Sequence, residues 1–165
     1  MKKIITLLII LSLSLVLFAC AGNENTPEET SSTAAAQQLS AEEAAAKMAE
    51  ELPFEGDLEL SEFPFNTLEK YDVDTSGISD IAWYVGSGAA ADELAVIKCD
   101  DDATLQAVKE ALASRIDYLK DGYSDYGPDQ VPKIEKALVA EYDGTVVYCI
   151  CSDSDAAQTL ADSIF

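Results

Sequence analysis

Cys20 divides this chain into two parts that cannot belong to the same folded unit. Before it, two lysines are followed by a 15-residue apolar run, Ile4 to Phe18, that contains only three hydroxyl residues. At about 1.5 Å per helical residue this run reaches roughly 22 Å, short of the ~30 Å hydrocarbon core of a membrane. A positive start and a short apolar run are typical of a signal peptide, so we expect residues 1–19 to be removed.

The segment Leu17-Phe18-Ala19-Cys20 resembles the lipobox of bacterial lipoproteins, with Leu17, Ala19 and Cys20 at matching positions. In that family the cysteine sulfur carries a diacylglyceryl group, and the cysteine becomes the new N-terminus. Two acyl chains attach a protein stably to a membrane, whereas a single acyl chain binds the membrane only weakly and reversibly. The resemblance implies lipidation of Cys20 and a protein anchored through that lipid on the extracytoplasmic face of the cell membrane.

Residues 20–39 are predicted to be the lipidated cysteine and a disordered polar tether. Ala21 to Gln38 contains no aromatic or branched aliphatic side chain, so it cannot bury enough apolar surface to fold. The remaining residues, 40–165, have the length of one compact domain. We expect them to form a single acidic domain.

The charge of the chain excludes one class of partner and makes the lipid necessary. The net charge is −21, and loss of Lys2 and Lys3 with the signal peptide lowers it to −23. Such a chain is repelled by nucleic acid and by anionic lipid, so only a covalent anchor could hold it at a membrane. The chain contains no histidine, and no catalytic arrangement is recognisable. We therefore favour a non-enzymatic protein without a cofactor.

The hydrophobic pattern predicts an α+β fold. A capping box at Ser40 opens an N-terminal helix, two apolar runs at 78–85 and 93–99 form a hairpin, and a long amphipathic helix follows from Asp102. Asp143-Gly144 predicts a tight turn before the strand 145–151, and residues 153–165 form a last helix. The expected architecture is a mostly antiparallel four-stranded sheet, ββα repeated twice, packed by the long helix, with an N-terminal and a C-terminal helix.

Four segments together resemble a family of bacterial lipoprotein domains of unknown function, found mostly in Gram-positive Firmicutes. They are Ala91 to Lys98, the helix with Arg115, Tyr126 to Ile134, and Asp143-Gly144 before an apolar strand. The resemblance covers about residues 52–165. It implies a lipid-anchored extracytoplasmic domain and carries over no substrate, cofactor or catalytic residue.

Asp72, Asp74 and Ser76 match the first half of a calcium-binding loop, with Gly77 at its sixth position. The second half fails, because the twelfth position is Trp83 where a bidentate glutamate is required. The simpler interpretation is a polar turn before the next strand. Asp100 to Asp102 are similarly interpreted as helix-capping residues.

Cys99, Cys149 and Cys151 are the remaining thiols, and Cys149 and Cys151 share one face of a strand. A disulfide from Cys99 to Cys149 or Cys151 is one alternative, a metal site is a weaker one, and buried free thiols are favoured.

Three tyrosines interleave with aspartates after residue 116, in a segment that Gly122 and Gly127 predict to be a loop. Aromatic rings beside carboxylates could hold a sugar, or the rings could seal the edge of the sheet. The members of this segment are Tyr118, Tyr123 and Tyr126 with Asp117, Asp121, Asp125 and Asp129.

Two functions remain open at this point. The first is a binding or interaction module near the cell wall, with a wall component or a surface protein as its partner. The alternative is a divalent-cation-dependent binding protein or enzyme acting on cell-wall material.

Overall fold

The computed structural model describes residues 38–165, which lie within one compact unit. In this part of the chain, five α-helices surround one antiparallel sheet of five strands in the order β1-β2-β3-β5-β4. The elements are α1 (Ala41–Glu51), β1 (Leu58–Leu60), α2 (Phe65–Glu69), β2 (Ile78–Gly86), β3 (Glu93–Cys99), α3 (Asp102–Tyr126), α4 (Val131–Ile134), β4 (Leu138–Tyr142), β5 (Thr145–Ile150) and α5 (Ser154–Ile164).

The hairpins of the sheet form where the sequence predicted them. Strands β2 and β3 pair antiparallel, with Ile81 opposite Ile97. The turn between β4 and β5 places Asp143 at φ 42° and Gly144 at φ 80°, the two left-handed positions that an Asp-Gly turn supplies. Strands β3 and β5 lie side by side inside the sheet. Their continuous apolar runs therefore have a physical reason, since both faces of these strands are covered.

Alternate residues of each strand point to opposite faces of the sheet, and each face has its own core. On the α3 face, Trp83, Ile97 and Tyr148 pack beneath the long helix α3. On the opposite face, which we call the α1/α5 face, Leu94, Val147 and Cys149 pack against alanines of α1 and α5. Ala44 and Ala157 are two of these alanines, and both are completely buried.

The helix ends follow their capping residues. Ser40 and Glu43 form the expected capping box at the start of α1, with Ser40 Oγ accepting from Glu43 N at 3.1 Å. Asp101 caps α3 by accepting from Thr104 N at 2.9 Å, and Asp153 caps α5. The capping interpretation of the aspartates before α3 is thus confirmed for Asp101.

The predicted four-stranded sheet and the predicted repeat both differ from the structure. The sheet has a fifth strand, β1, which pairs with the outer edge of β2. A strict repeat of two strands and a helix is not confirmed either, because α4 lies between α3 and β4.

The prediction of a loop between Gly122 and Gly127 is wrong. Helix α3 continues through Gly122 to Tyr126 and ends at Gly127, whose N–H donates to the carbonyl oxygen of Tyr123 at 2.9 Å. Among residues 38–165, no helix combines the length and the apolar character needed to cross a membrane.

Candidate functional site

A groove of about 230 Å³ opens between the second half of α3 and the connection from β2 to β3. We call it the α3 groove. Four of its residues, at positions 115, 119, 123 and 126, recur at helical spacing and therefore share one face of α3. The lining consists of Val85, Gly86, Gly88, Ala90, Ala91, Asp92, Glu93, Arg115, Leu119, Tyr123 and Tyr126.

A buried ion pair lies at the base of the groove. Arg115 makes two contacts with the carboxylate of Glu93, one from Nη2 to Oε1 and one from Nε to Oε2 at 3.3 Å. Tyr148 donates its hydroxyl to Glu93 Oε2 at 3.0 Å. Burial, followed by the charge of Glu93, raises the pKa of Tyr148 well above its ordinary value. Tyr148 therefore stays a neutral donor, and the carboxylate is satisfied by three hydrogen bonds.

Tyr123 fixes one wall of the groove to the connection between the strands. Its hydroxyl lies 2.9 Å from the carbonyl oxygen of Ala90 and 3.1 Å from that of Gly88, and it is the donor to both. Burial is the main cause that raises the pKa of Tyr123 to about 12. Gly88 has φ +83°, a conformation that favours glycine. The connection is thus held against α3 by a side chain of the helix.

Two tyrosine rings remain exposed beside this rigid wall. Tyr126 is 68% exposed, and its ring centroid lies 4.8 Å from that of Tyr123. Tyr118 is 65% exposed, and the Arg115 guanidinium carbon lies 5.6 Å from the centre of its ring. Asp117, Asp121 and Asp125 are exposed on the same helix. Helix α3, and not the predicted loop, therefore brings Tyr123 and Tyr126 together at the groove, whereas Tyr118 is not part of its lining.

A second buried carboxylate, Asp92, holds the far end of the connection. Its side chain is completely buried. Oδ2 accepts from the backbone N–H groups of Glu55 and Gly56 at 2.7 and 3.1 Å, while Oδ1 lies 2.7 Å from Lys133 Nζ. Gln130 accepts from the N–H of Ala91 at 3.1 Å. The segment that carried the family resemblance thus supplies Gln130 and Lys133, which fasten the groove.

Sequence reasoning missed the pairing of Asp92 with Lys133 and of Glu93 with Arg115. These partners are 41 and 22 residues apart in the chain, so no short motif could indicate them. The available signal was weak: two adjacent acids stand at the start of a strand that is otherwise apolar. A buried acid is expected to have a basic partner.

The calcium candidates Asp72, Asp74 and Ser76 form a polar turn. Asp74 Oδ1 accepts from the N–H of Ser76 at 3.0 Å and so caps a short 3-10 turn, Thr75–Gly77. That hydrogen bond is the main cause that lowers the pKa of Asp74. Among residues 38–165, no group of three histidine, cysteine, aspartate or glutamate side chains is arranged to hold a metal ion.

The cysteines do not meet as a trio. The strand register places Lys98 opposite Thr145, whereas Leu94 lies opposite Cys149, so Cys99 is at the other end of β5 from Cys149 and Cys151. Four residues of strand separate the two ends by roughly 13 Å, beyond the about 7 Å over which a disulfide can form. The predicted alternative of a disulfide from Cys99 is therefore wrong in this fold. All three thiols are free.

The proposed lipidation site, Cys20, and the recognition residues Leu17 and Ala19 lie outside the described residues. Their roles stay predictions.

Comparison with known proteins identifies the family of the central part of the chain. Residues 65–151, slightly more than half of the chain, match the model of a family described as a domain of unknown function, DUF4358. No curated protein and no solved structure is similar enough to match. The matched range includes α2, the sheet from β2 to β5, α3 and the residues that build the α3 groove.

Proposed function

The chain belongs to the DUF4358 family, and we propose that it is a non-enzymatic binding protein, anchored by a lipid on Cys20 at the extracytoplasmic face of the membrane. Its ligand is an uncharged glycan of the cell wall, which the α3 groove binds. The observation that carries the proposal is the exposed ring of Tyr126 in the lining of a rigid groove.

Exposed aromatic rings at the groove support a ligand with flat apolar faces. A tyrosine ring usually finds burial in a folded protein, yet Tyr118 and Tyr126 keep about two thirds of their surface in water. The faces of a pyranose ring present C–H groups that pack on aromatic rings, while the phenol hydroxyls and the carbonyl groups of the connection can exchange hydrogen bonds with sugar hydroxyls. Rings and polar groups together suit a sugar better than a purely apolar ligand.

The buried contacts beneath the groove support recognition without rearrangement. Arg115 is held by Glu93, and Tyr123 is held by two carbonyl oxygens, so neither side chain is free to adopt many rotamers. A binding site that is ordered beforehand loses less conformational entropy when the ligand arrives. The α3 groove can therefore bind a ligand with useful affinity although it is small.

The charge of the protein selects among wall polymers. At the net charge of −23 that remains after loss of residues 1–19, long-range repulsion acts against anionic ligands. The charge of Arg115 is already neutralised by Glu93 and gives no site for a phosphate or carboxylate. An uncharged glycan meets neither obstacle.

Calorimetric titration of the full chain in detergent with an N-acetylglucosamine tetramer tests the proposal. We expect Tyr126→Ala to weaken binding about tenfold, the loss of one strong contact. Phe63→Ala is the matched control, since Phe63 is 65% exposed and does not line the groove. Equal affinities for the two variants, or no binding by the natural protein, would refute the assignment of the groove.

The anchor is tested separately. Replacing Cys20 with serine removes the sulfur that would be acylated, so labelling with a radioactive fatty acid should disappear. Cys99→Ser, which leaves the proposed site intact, serves as the control. Labelling that persists in the Cys20→Ser variant would contradict the proposed anchor.

A further inference from the structure

Strand β1 leaves one edge of the sheet open in the part of the chain that the structure describes. The N–H of Ser61 donates to the carbonyl oxygen of Trp83 at 2.8 Å, so the backbone of Ser61 faces β2. Successive residues of a strand direct their N–H and carbonyl groups to opposite sides, which makes Glu59 face β2 while Leu58 and Leu60 face outward. Within the described residues, no hydrogen bond occupies the outward groups of these two leucines. These groups form an open strand edge, which we call the β1 edge.

A cavity of about 370 Å³ opens beside this edge, on the α1/α5 face. We call it the α1 cavity. Helix α1 lies over β2 and β3, and its second half forms one wall of the cavity through Ala46 and Ala49. Leu58 of β1 and Tyr84 of β2 line the sheet side. Leu60 is on the same face as Leu58 and is 43% exposed. The α1 cavity therefore lies between a helix and an open strand edge, and it has apolar walls.

An extended segment that pairs with the β1 edge would enlarge the sheet by one strand. Its backbone would bond to the outward groups of Leu58 and Leu60, about 4.8 Å from β1. Because side chains alternate between the two faces, every second side chain of the segment would lie beside these leucines, at the α1 cavity. The intervening side chains would lie beside Glu59, on the opposite face. Apolar side chains suit the first set, because they cover Leu60 and meet the alanines of α1.

The acids around the β1 edge select the charge of the segment. Residues 50–62 contain six acids and no lysine or arginine. Of these acids, only Glu55 forms an ion pair among the described residues. Glu50 and Asp57 line the α1 cavity itself. A basic side chain opposite Glu59 forms a favourable cross-strand pair, whereas an acidic one is repelled. Charge complementarity therefore favours lysine or arginine beside Glu59.

The same acids disfavour two occupants from this chain. In a second copy, antiparallel pairing centred on β1 would set Glu59 opposite its own equivalent, and each chain has a net charge of −23 after loss of residues 1–19. Residues 21–37 contain three glutamates and no lysine, arginine or large apolar side chain. Neither occupant supplies the alternation of apolar and basic side chains that this surface fits.

We propose that the β1 edge and the α1 cavity bind an extended segment of another protein, in which apolar residues alternate with lysine or arginine. The segment pairs with β1 as an additional strand, with its apolar side chains at the α1 cavity and its basic side chains next to Glu59. Because β1 has only three residues, its main-chain bonds are few, and the cavity and the charges supply the specificity. The proposal does not depend on glycan binding, since the α1 cavity and the α3 groove share no lining residue.

The test uses a fluorescent heptapeptide in which lysine and valine alternate. It is added to the full chain in non-ionic detergent at about 150 mM salt, where exposed charges are screened beyond about 8 Å. Two further peptides have the same side chains and charge but carry methyl groups on alternate backbone nitrogens, one on its valines and the other on its lysines. Strand pairing uses the N–H groups of one set only. By fluorescence anisotropy, we therefore expect one methylated peptide to bind at least tenfold more weakly than the other.

The comparison of peptides uses the natural protein, so it does not depend on the folding of any variant. If the two methylated peptides bind equally well, attraction between charges explains the binding and strand pairing is refuted. If the unmethylated peptide does not bind, the proposal is overturned as well.

Two variants of the protein locate the site. Leu60→Pro removes an outward N–H from β1 and leaves the bonds to β2 in place, because proline is accepted on an edge strand when its nitrogen faces solvent. Ala49→Trp fills the α1 cavity, and Ala113→Trp on the exposed side of α3 is its matched control. We expect Leu60→Pro and Ala49→Trp to weaken peptide binding at least tenfold and the control to leave it unchanged. Unchanged binding by both variants would overturn the assignment of this surface.

Chemical cross-linking of the protein without peptide tests the other occupant. We expect single chains. Cross-linked dimers that disappear in Leu60→Pro would assign the β1 edge to a second copy of this chain and would contradict the proposal.

Discussion

The two faces of the sheet use opposite means to bury the same strands. On the α3 face, large side chains such as Trp83, Tyr148 and Ile97 fill the space below one long helix. On the α1/α5 face, alanines at positions 41, 44, 45, 157 and 161 let two shorter helices approach closely. The first face also buries an ion pair, whereas the second buries a pair of thiols.

The two faces are therefore held together by different kinds of contact. The Glu93–Arg115 pair and the tyrosines order the α3 groove through hydrogen bonds with fixed directions. The α1/α5 face is held together by the packing of its buried alanines with apolar side chains such as Met48 and Leu94. We expect substitutions on the two faces to destabilise the protein for different physical reasons, and the substitutions below test this expectation.

The largest effect should come from breaking the ion pair. Arg115→Met leaves the Glu93 carboxylate, which is only 6% exposed, without its cation. Removing one partner of a buried pair destabilises a protein by about 3–5 kcal/mol. Urea unfolding followed by circular dichroism should show this loss.

A second substitution checks the cause. Glu93→Gln combined with Arg115→Met removes the uncompensated charge while the amide oxygen still accepts from Tyr148. At least half of the lost stability should return. Equal stability of the single and double variants would mean that lost packing, and not the unpaired charge, dominates.

A smaller effect should follow from overpacking the α1/α5 face. Ala157→Leu adds three carbon atoms at a completely buried position between α5 and the sheet. Such overpacking costs about 1–3 kcal/mol. The control is Ala113→Leu on the exposed side of α3, where a change within about 0.5 kcal/mol is expected. If both substitutions were neutral by thermal unfolding, close packing on this face would be disproved.

The smallest effect concerns the cap of α3. Hydrogen bonds from the backbone and side chain of Thr104 lower the pKa of Asp101 below its ordinary value of 3.8. A lowered pKa in the folded state adds stability above pH 3.8, and this contribution disappears as the pH falls through the folded value. Asp101→Asn keeps a capping side chain but cannot titrate. Its unfolding midpoint should therefore fall less steeply than that of the natural protein below pH 4, and parallel curves would contradict the assignment.

Local signals in the sequence predicted most of the fold. Ser40, Asp101 and Asp143-Gly144 act within three residues of their own position, so their caps and turn could be derived from the sequence. Strand β1 was missed because three residues give no measurable alternation, and pairing with β2 decides their conformation. Helix α3 passes Gly122 because burying Tyr123 outweighs the roughly 1 kcal/mol that a helical glycine costs.

The candidate site was only partly predictable. Tyr118, Tyr123 and Tyr126 stood out as aromatic residues among acids, but Tyr123 and Tyr126 share one face only once the segment is helical. The groove also needs Glu93 and Asp92, whose partners come from distant elements. The sequence also placed Cys149 and Cys151 on one face of a strand, whereas their burial depends on the packing of α1 and α5 against that face.

Glycan binding on the α3 face, and not on the α1/α5 face, is the central claim. Titrating the ¹⁵N-labelled chain with an N-acetylglucosamine tetramer tests it most directly, through the chemical shifts of backbone amides and of the Arg115 side-chain Nε–H group. We expect dose-dependent shifts at Gly88, Arg115 and Tyr126, with Ala44 and Ala157 unchanged. Shifts confined to the α1/α5 face, or none at saturating sugar, would contradict it.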